Sequence, residues 1–271
     1  MSDITMTRGQ RWFRALAGEP RTAAPIWSGD AALGADTARF IAVVPDAGNR
    51  FPRAVDNVVG LEQGWQLARV VRDTMEEDAG TSTRRPIVAI VDVKSQAYGY
   101  REEMLGIHLA CAAAVDAYAA ARAAGHPVVA LIVGPAMSGA FLAHGYQANR
   151  IVALDAPGIA VHAMGKDSAA RVTRRSVEAL DELGETITPM SYSLSAFAKL
   201  GLLDTLIGGV DADAPTGTQI ERVRSVLNEA VQSARSGTRG LSHRLESAAA
   251  KTTRAASIEV RRRLAEQWDM G

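Results

Sequence analysis

The residues with the clearest chemical potential lie at two places where an apolar run stops. Val128 to Val133 is an unbroken apolar stretch, short enough for a buried strand. Gly134-Pro135 closes it as a turn signal, and Met137-Ser138-Gly139-Ala140 then sets small residues where a helix begins. The first N–H groups of a helix lack intrahelical acceptors and carry a partial positive charge. Small side chains let a ligand approach that backbone closely. Ser138 and Gly139 therefore mark a main-chain oxyanion pocket, although the same residues also suit close strand–helix packing. The second place is the polar loop Asp92 to Tyr100, holding Tyr98 and Gly99, which follows the apolar run Ile87 to Val91. Loops after buried strands carry function in α/β proteins. If the two strands lie side by side, both loops open at one end of the sheet, and a pocket between them takes one N–H from each.

Other candidates carry less chemistry. GPAMSG is not the GxGxxG dinucleotide pattern, and it lacks the Lys-Ser/Thr pair of a phosphate-binding P-loop. Arg50 and Arg53 flank Phe51-Pro52 and can fork onto a carboxylate or phosphate, but a surface ion cluster with Asp46 and Asp56 is the plainer expectation. Lys166 and Arg171, near a helix start, read as a solvated face. His108, His126 and His144 lie on or beside expected helices and read as structural or exposed. Cys111, the only cysteine, sits in an apolar run and reads as core; it excludes an internal disulfide and a multi-cysteine zinc site.

The elements that must position these residues alternate. Apolar strands of about five residues (Arg39 to Val44, Ile87 to Val91, Val128 to Val133, Ile151 to Leu154) alternate with helical patterns at 7–17, 60–79, 102–124, 191–200 and 216–236. Gly165-Lys166-Asp167 opens a helix read at Ser168 to Arg175, a second helix follows through Leu183, and Leu241 to Trp268 reads as one long C-terminal helix. That order implies an α/β fold with a parallel sheet and crossovers. Length and the lack of a linker predict one domain over 1–271, with an N-terminal helix and loop extension at 1–36, in which Pro25 to Ser28 is open to being an edge strand, and a C-terminal helix at 241–271. Thirty Lys+Arg against thirty Asp+Glu give a formal net charge of +0, which argues against nucleic-acid or polybasic membrane binding. The opening MSDITMTRGQRWFR has no apolar core of a signal peptide and no run is long enough to span a bilayer, so a cytoplasmic protein is expected.

The segment Pro127 to Leu154 resembles the crotonase superfamily, in which a loop after a core strand supplies a backbone donor to a thioester enolate. RPIVAIVDVKSQAYG (85–99), VHAMGKDSAARVT (161–173) and LGLLDTLI (200–207) resemble its carboxyltransferase branch. VVPDAGNRFPRAVDNVVGLEQGW (43–65) and RGQRWFRAL (8–16) are similar to the gamma subunits of biotin-independent malonate decarboxylases. The resemblance implies a ClpP/crotonase-type spiral core ringed by helices. It also implies a role with a beta subunit in releasing CO2 from a malonyl thioester, with backbone donors at Gly139 and Gly99. The thioester would ride on the phosphoribosyl-dephospho-CoA group of an acyl-carrier subunit, reloaded by an alpha subunit, without biotin or metal. The hydratase glutamate is replaced by Ala140, Phe141 or Leu142, so hydration is not implied. GPAMSGA followed by Ile159 to His162 also resembles the Clp-type serine peptidases, where Ser138 and His162 would stand as nucleophile and base. Within the decarboxylase reading, Ser138 would hydrogen-bond the acyl group and His162 would donate the proton. A non-catalytic scaffold of the same complex is the remaining alternative.

Overall fold

The computed structural model describes residues 6–268, so the outermost residues of the single-domain reading, 1–5 and 269–271, lie outside the described residues. In chain order the elements are α1 (Arg8–Ala17), β1 (Ile26–Leu33), β2 (Asp36–Val43), α2 (Leu61–Glu77), β3 (Ile87–Val93), α3 (Tyr100–Met104), α4 (Ile107–Ala123), β4 (Val128–Met137) and α5 (Ser138–Ala143). There follow β5 (Arg150–Leu154), β6 (Val161–His162), α6 (Lys166–Thr173), α7 (Val177–Thr186), α8 (Leu194–Lys199), β7 (Thr205–Ile207), α9 (Gly217–Ser236), α10 (Ala248–Thr253) and α11 (Ala255–Trp268). The sheet runs β1-β2-β3-β4-β5-β7, with β6 on the far half of β4; only the β1–β2 pair is antiparallel.

The short apolar runs form central strands because both faces of the sheet are covered. On β3, Ile87, Ala89, Val91 and Val93 join one buried cluster with Leu67 and Val71 of α2 and Ala114 and Tyr118 of α4. The alternate residues Val88 and Ile90 join a second cluster with Trp12 and Phe13 of α1 and Val223 and Leu227 of α9. The side-chain period of two thus sends successive residues into two cores.

Four expectations are corrected. Beyond α1 the stretch to residue 36 is more strand than loop: the edge strand expected at Pro25 to Ser28 spans Ile26–Leu33, eight residues, and α1 is capped by Thr7 and pinned by Trp12 Nε1 donating to Ala212 O at 3.0 Å. The helix expected from 102 is interrupted at Gly106, whose left-handed φ of 83° separates α3 from α4. The long C-terminal helix is broken. A short turn at Ser242–Leu245 carries Arg244 into the interior, where its Nη2 donates to Ala148 O at 2.6 Å beneath the Tyr146 ring. Ser247 then caps a fresh start at α10. Finally, β4 does not stop at Gly134-Pro135 but runs on to Met137, because its second half pairs with β6 instead of β5.

Gly134 is required there by Asp92. A Cβ at Gly134 would stand 2.2 Å from Asp92 Oδ1. Asp92 cannot retreat: its carboxylate is buried and accepts from Gly9 N at 2.9 Å and from Asn57 Nδ2 at 3.0 Å. Burial pushes its pKa above the ordinary carboxylate value against those hydrogen bonds and the nearby Arg8 and Lys94 charges. Gly134→Ala is therefore expected to destabilise the chain by about 2 kcal/mol through overpacking, read by urea unfolding. An unchanged midpoint would contradict the close approach.

His144 gives a second expectation. It is fully buried between Tyr118 OH, 3.0 Å from Nδ1, and the Ile90 carbonyl, 2.9 Å from Nε2. Burial lowers its pKa from 6.5 to about 4, so the folded state keeps it neutral where the unfolded chain protonates it. The unfolded state binds the extra proton between those values, so this contribution is fully present above about pH 6.5 and falls as pH drops toward about 4, by roughly 3 kcal/mol. His126, lowered by burial, has the same sign, whereas Asp92 has the opposite one. His144→Gln should flatten the fall in Tm across that window; a parallel slope would contradict the assignment.

Candidate active site

Adjacent parallel strands bring the two loops together. β3 and β4 pair in register from Ile87↔Val128 to Val91↔Ile132, then slip before Val93↔Ala136, so the segments after them leave the sheet at one end. The loop after β3 is held by Val59, whose N–H donates to Ser95 O at 3.1 Å and whose carbonyl accepts from Ala97 N at 2.9 Å. Across the gap, Tyr98 OH and Ser138 Oγ are 3.0 Å apart.

Ser138 is at the centre of this arrangement. It links β4 directly to α5 with φ +63°, a left-handed conformation that costs a non-glycine residue about 1 kcal/mol or more. Its side chain is 4% exposed, with the hydroxyl held against Tyr98. Gly139 follows, and a Cβ there would fall 1.8 Å from Gln96 Oε1, so the loop after β3 closes on this residue as well. Because α5 has only six residues, its dipole is small; the turn offers the N–H groups themselves.

His162 reaches the same place by pairing. Met137 is opposite His162 in the β4–β6 ladder, one residue before Ser138. Ser138 and His162 line one cleft of about 290 Å³, walled by apolar side chains that include Phe141, Val161, Met190 and Phe197. The His162 ring is stacked on Tyr192, centroids 4.0 Å apart at 18°. Its Nδ1 has both the Met164 carbonyl at 3.0 Å and the Met164 N–H at 3.2 Å. One nitrogen thus finds an acceptor in one tautomer and a donor in the other. Nε2 has no hydrogen-bond partner among the described residues, and the ring lines the cleft. Tyr192 OH donates to the same Met164 carbonyl at 2.7 Å, fixing the ring that supports the histidine.

The remaining candidates separate from the cleft. Gly99 is extended, with φ 179°, and packs against Glu102 and Arg53 instead of lining the cleft. Arg50 and Arg53 do not pair with Asp46 and Asp56 as expected: Arg50 Nε meets Glu62 at 2.6 Å, while Asp56 is 3.9 Å from Lys94. Lys166 pairs with Asp181 at 2.5 Å. His126 is buried and within 3.0 Å of Arg85 O, and His108 is exposed. Cys111 is half-buried against the core, and burial raises its pKa to about 11. Among the described residues no group of His, Cys, Asp and Glu could hold a metal ion, and no helix is long and apolar enough to cross a membrane. The sequence reading missed Tyr192, thirty positions beyond His162 and in no motif with it.

Comparison with known proteins adds independent findings. A family model described as malonate decarboxylase gamma subunit matches residues 54–268. A malonyl-S-ACP:biotin-protein carboxyltransferase, MADD, of Malonomonas rubra is 39% identical over 166 residues, which cover 60% of this chain and 56% of that protein. The chain thus spans little more than half of that relative. A chain of a Pseudomonas malonate decarboxylase hetero-tetramer in complex with coenzyme A is 51% identical with a TM-score of 0.91, over 97% of this chain and 100% of the other. In a Pseudomonas MdcD-MdcE hetero-dimer the figures are 50%, 0.88, 97% and 100%. The transcarboxylase 12S core, at 18% identity, TM-score 0.61, and coverage of 83% and 41%, shares the fold alone.

The Tyr98–Ser138 contact generates its own expectation. Tyr98→Phe removes one partner and leaves a buried hydroxyl unpaired, so urea unfolding should report a loss of about 1 kcal/mol. Stability equal to the parent would mean that the two loops are not joined there.

Proposed function

From membership of the malonate decarboxylase gamma-subunit family, to which this chain belongs, we propose that it forms one half of a decarboxylation site acting on a carrier-bound malonyl thioester. The observation that carries this reading is the convergence of the strained Ser138 and of His162 on one apolar cleft, with Gly139 next in the chain to Ser138. Loss of CO2 breaks the bond from the malonyl Cα to its carboxylate. The electron pair passes into the thioester as an enolate, whose charge collects on oxygen. Donors already in place for that oxygen lower the barrier, each by about 3 kcal/mol. The Ser138 hydroxyl and Gly139 N–H are the donors proposed here. An apolar wall favours release of a charged carboxylate as neutral CO2, since a desolvated anion gains by losing its charge.

The enolate carbon then takes a proton to give the acetyl thioester. His162 is the proposed donor: as the imidazolium, with Nδ1–H on the Met164 carbonyl, it gives up its Nε2 proton and is left as the neutral Nδ1–H ring with that hydrogen bond unchanged. The thioester is proposed to arrive on the phosphoribosyl-dephospho-CoA arm of an acyl-carrier subunit, with an alpha subunit exchanging acetyl for malonyl and a beta subunit completing the site. In this reading the chain acts as one carboxyltransferase-type domain in the cytoplasm and uses neither biotin nor metal.

Two observations weigh against hydrolysis by Ser138. Its hydroxyl is hydrogen-bonded to Tyr98, with no bond to His162, and no carboxylate pairs with His162 among the described residues. A nucleophile needs its base in contact, and the base needs an orienting group. In the complex reconstituted with the beta and carrier subunits, Ser138→Ala is expected to lower CO2 release roughly 100-fold. His162→Gln should slow turnover at least about tenfold while the KM for the malonyl carrier stays within about twofold. Parental rates in both variants would reduce the chain to a scaffold.

A further inference from the structure

Gln96 lies in the loop after β3, and nothing above gives it a task. Backbone contacts to Val59 on both sides of Gln96 fix where its side chain projects. That side chain reaches the Ser138–Gly139 turn: its Oε1 stands where a Cβ of residue 139 would be, 1.8 Å from that position. Neither end of the amide has a hydrogen-bond partner among the described residues, although the side chain is only half exposed to water. A glutamine carries two N–H donors and one acceptor, and half-buried amides ordinarily find partners. Tyr98, two positions on, spends its hydroxyl on Ser138, whereas the Gln96 amide faces the same turn uncommitted. Rotation of the unpaired amide about its last torsion can present either N–H2 or C=O to an incoming group.

Building on the proposed function, we propose that Gln96 contacts the substrate at this turn, donating its amide N–H to an oxygen of the malonyl group. The reading also gives a reason for glycine at 139. Without a side chain there, the amide is admitted against the turn; a larger residue would displace it and leave the site with one donor fewer. The recognised group is an acyl oxygen or carboxylate oxygen of a short dicarboxylic thioester, and both chemistries call for a donor of this kind.

The test uses the reconstituted complex and three variants at 96, with assembly checked by gel filtration. Gln96→Leu keeps bulk and removes both donors; kcat is expected to fall roughly tenfold or more, with the carrier KM within about twofold. Gln96→Glu becomes a donor only when protonated, so its rate relative to the parent should climb as the pH is lowered from about 8 to about 5.5. A purely structural glutamine would show no such climb. Gly139→Ala pushes the amide away, so its loss and that of Gln96→Ala should be markedly less than multiplicative in the double variant. Parental turnover in Gln96→Leu, a flat ratio for Gln96→Glu or fully multiplicative losses would each overturn the inference. Impaired Ser138→Ala beside an unaffected Gln96→Leu would sink this inference alone, whereas full activity in both would take the proposed function with it.

Discussion

The structure depends on one close approach, the buried Asp92 carboxylate against the bare Cα of Gly134. It joins three parts of the chain that local forces would not bring together. Gly9 at the start of α1 and Asn57 ahead of α2 both donate to Asp92. Gly134 allows β4 to pass over the carboxylate and continue toward β6. Were the strand to end at residue 134, Met137 would have no partner in His162, and Ser138 would not stand beside the histidine. A fixed, buried carboxylate at the end of β3 thus governs where the Ser138–Gly139 turn at the end of β4 is placed. Burial makes that charge costly, and two donated hydrogen bonds, from Gly9 N and Asn57 Nδ2, keep the carboxylate in position, while Asn57 also donates to the Asp92 backbone carbonyl.

A second electrostatic centre holds the opposite end of the sheet. Burial works against the charge of Asp30, yet Arg39 at 2.5 Å, with Arg85 and Arg21, holds its carboxyl below the ordinary value. Arg85 also pairs with Asp78 at 2.7 Å. Charges are thus concentrated at the starts of β2 and β3, and the cleft beyond the end of β4 is left largely apolar. The ionic contacts at that end serve the fold, and the cleft is walled mainly by apolar side chains.

Much of this was legible in the sequence because it rests on short-range signals. Ile87 to Val91, Val128 to Val133 and Ile151 to Leu154 became central strands since every residue in each faces one of two cores. The helical patterns at 7–17 and 216–236 became α1 and α9, each started by a threonine capping box, at Thr7 and Thr216. Strand length and alternation implied a parallel sheet, and the meeting of loops 92–100 and 134–140 was conditional on β3 and β4 being neighbours, which they are. What was not legible depends on distant partners. A Gly-Pro pair signals a turn unless another strand takes over the pairing, and β6 is only two residues long. The C-terminal helix looked continuous because nothing local marks Arg244 as destined for the interior. Tyr192 beneath His162 comes from a loop whose sequence shows no aromatic pattern. Gln96 is one polar residue in a polar loop, distinguished only once Gly139 is seen beneath it.

The central claim is that this chain contributes reacting groups to a composite site, and one measurement tests it most directly. CO2 release from the malonyl-S-carrier would be measured with this chain alone, with its beta partner alone and with the two combined. The account predicts release only in the combination. Full activity in the partner alone would contradict it and leave this chain as a support.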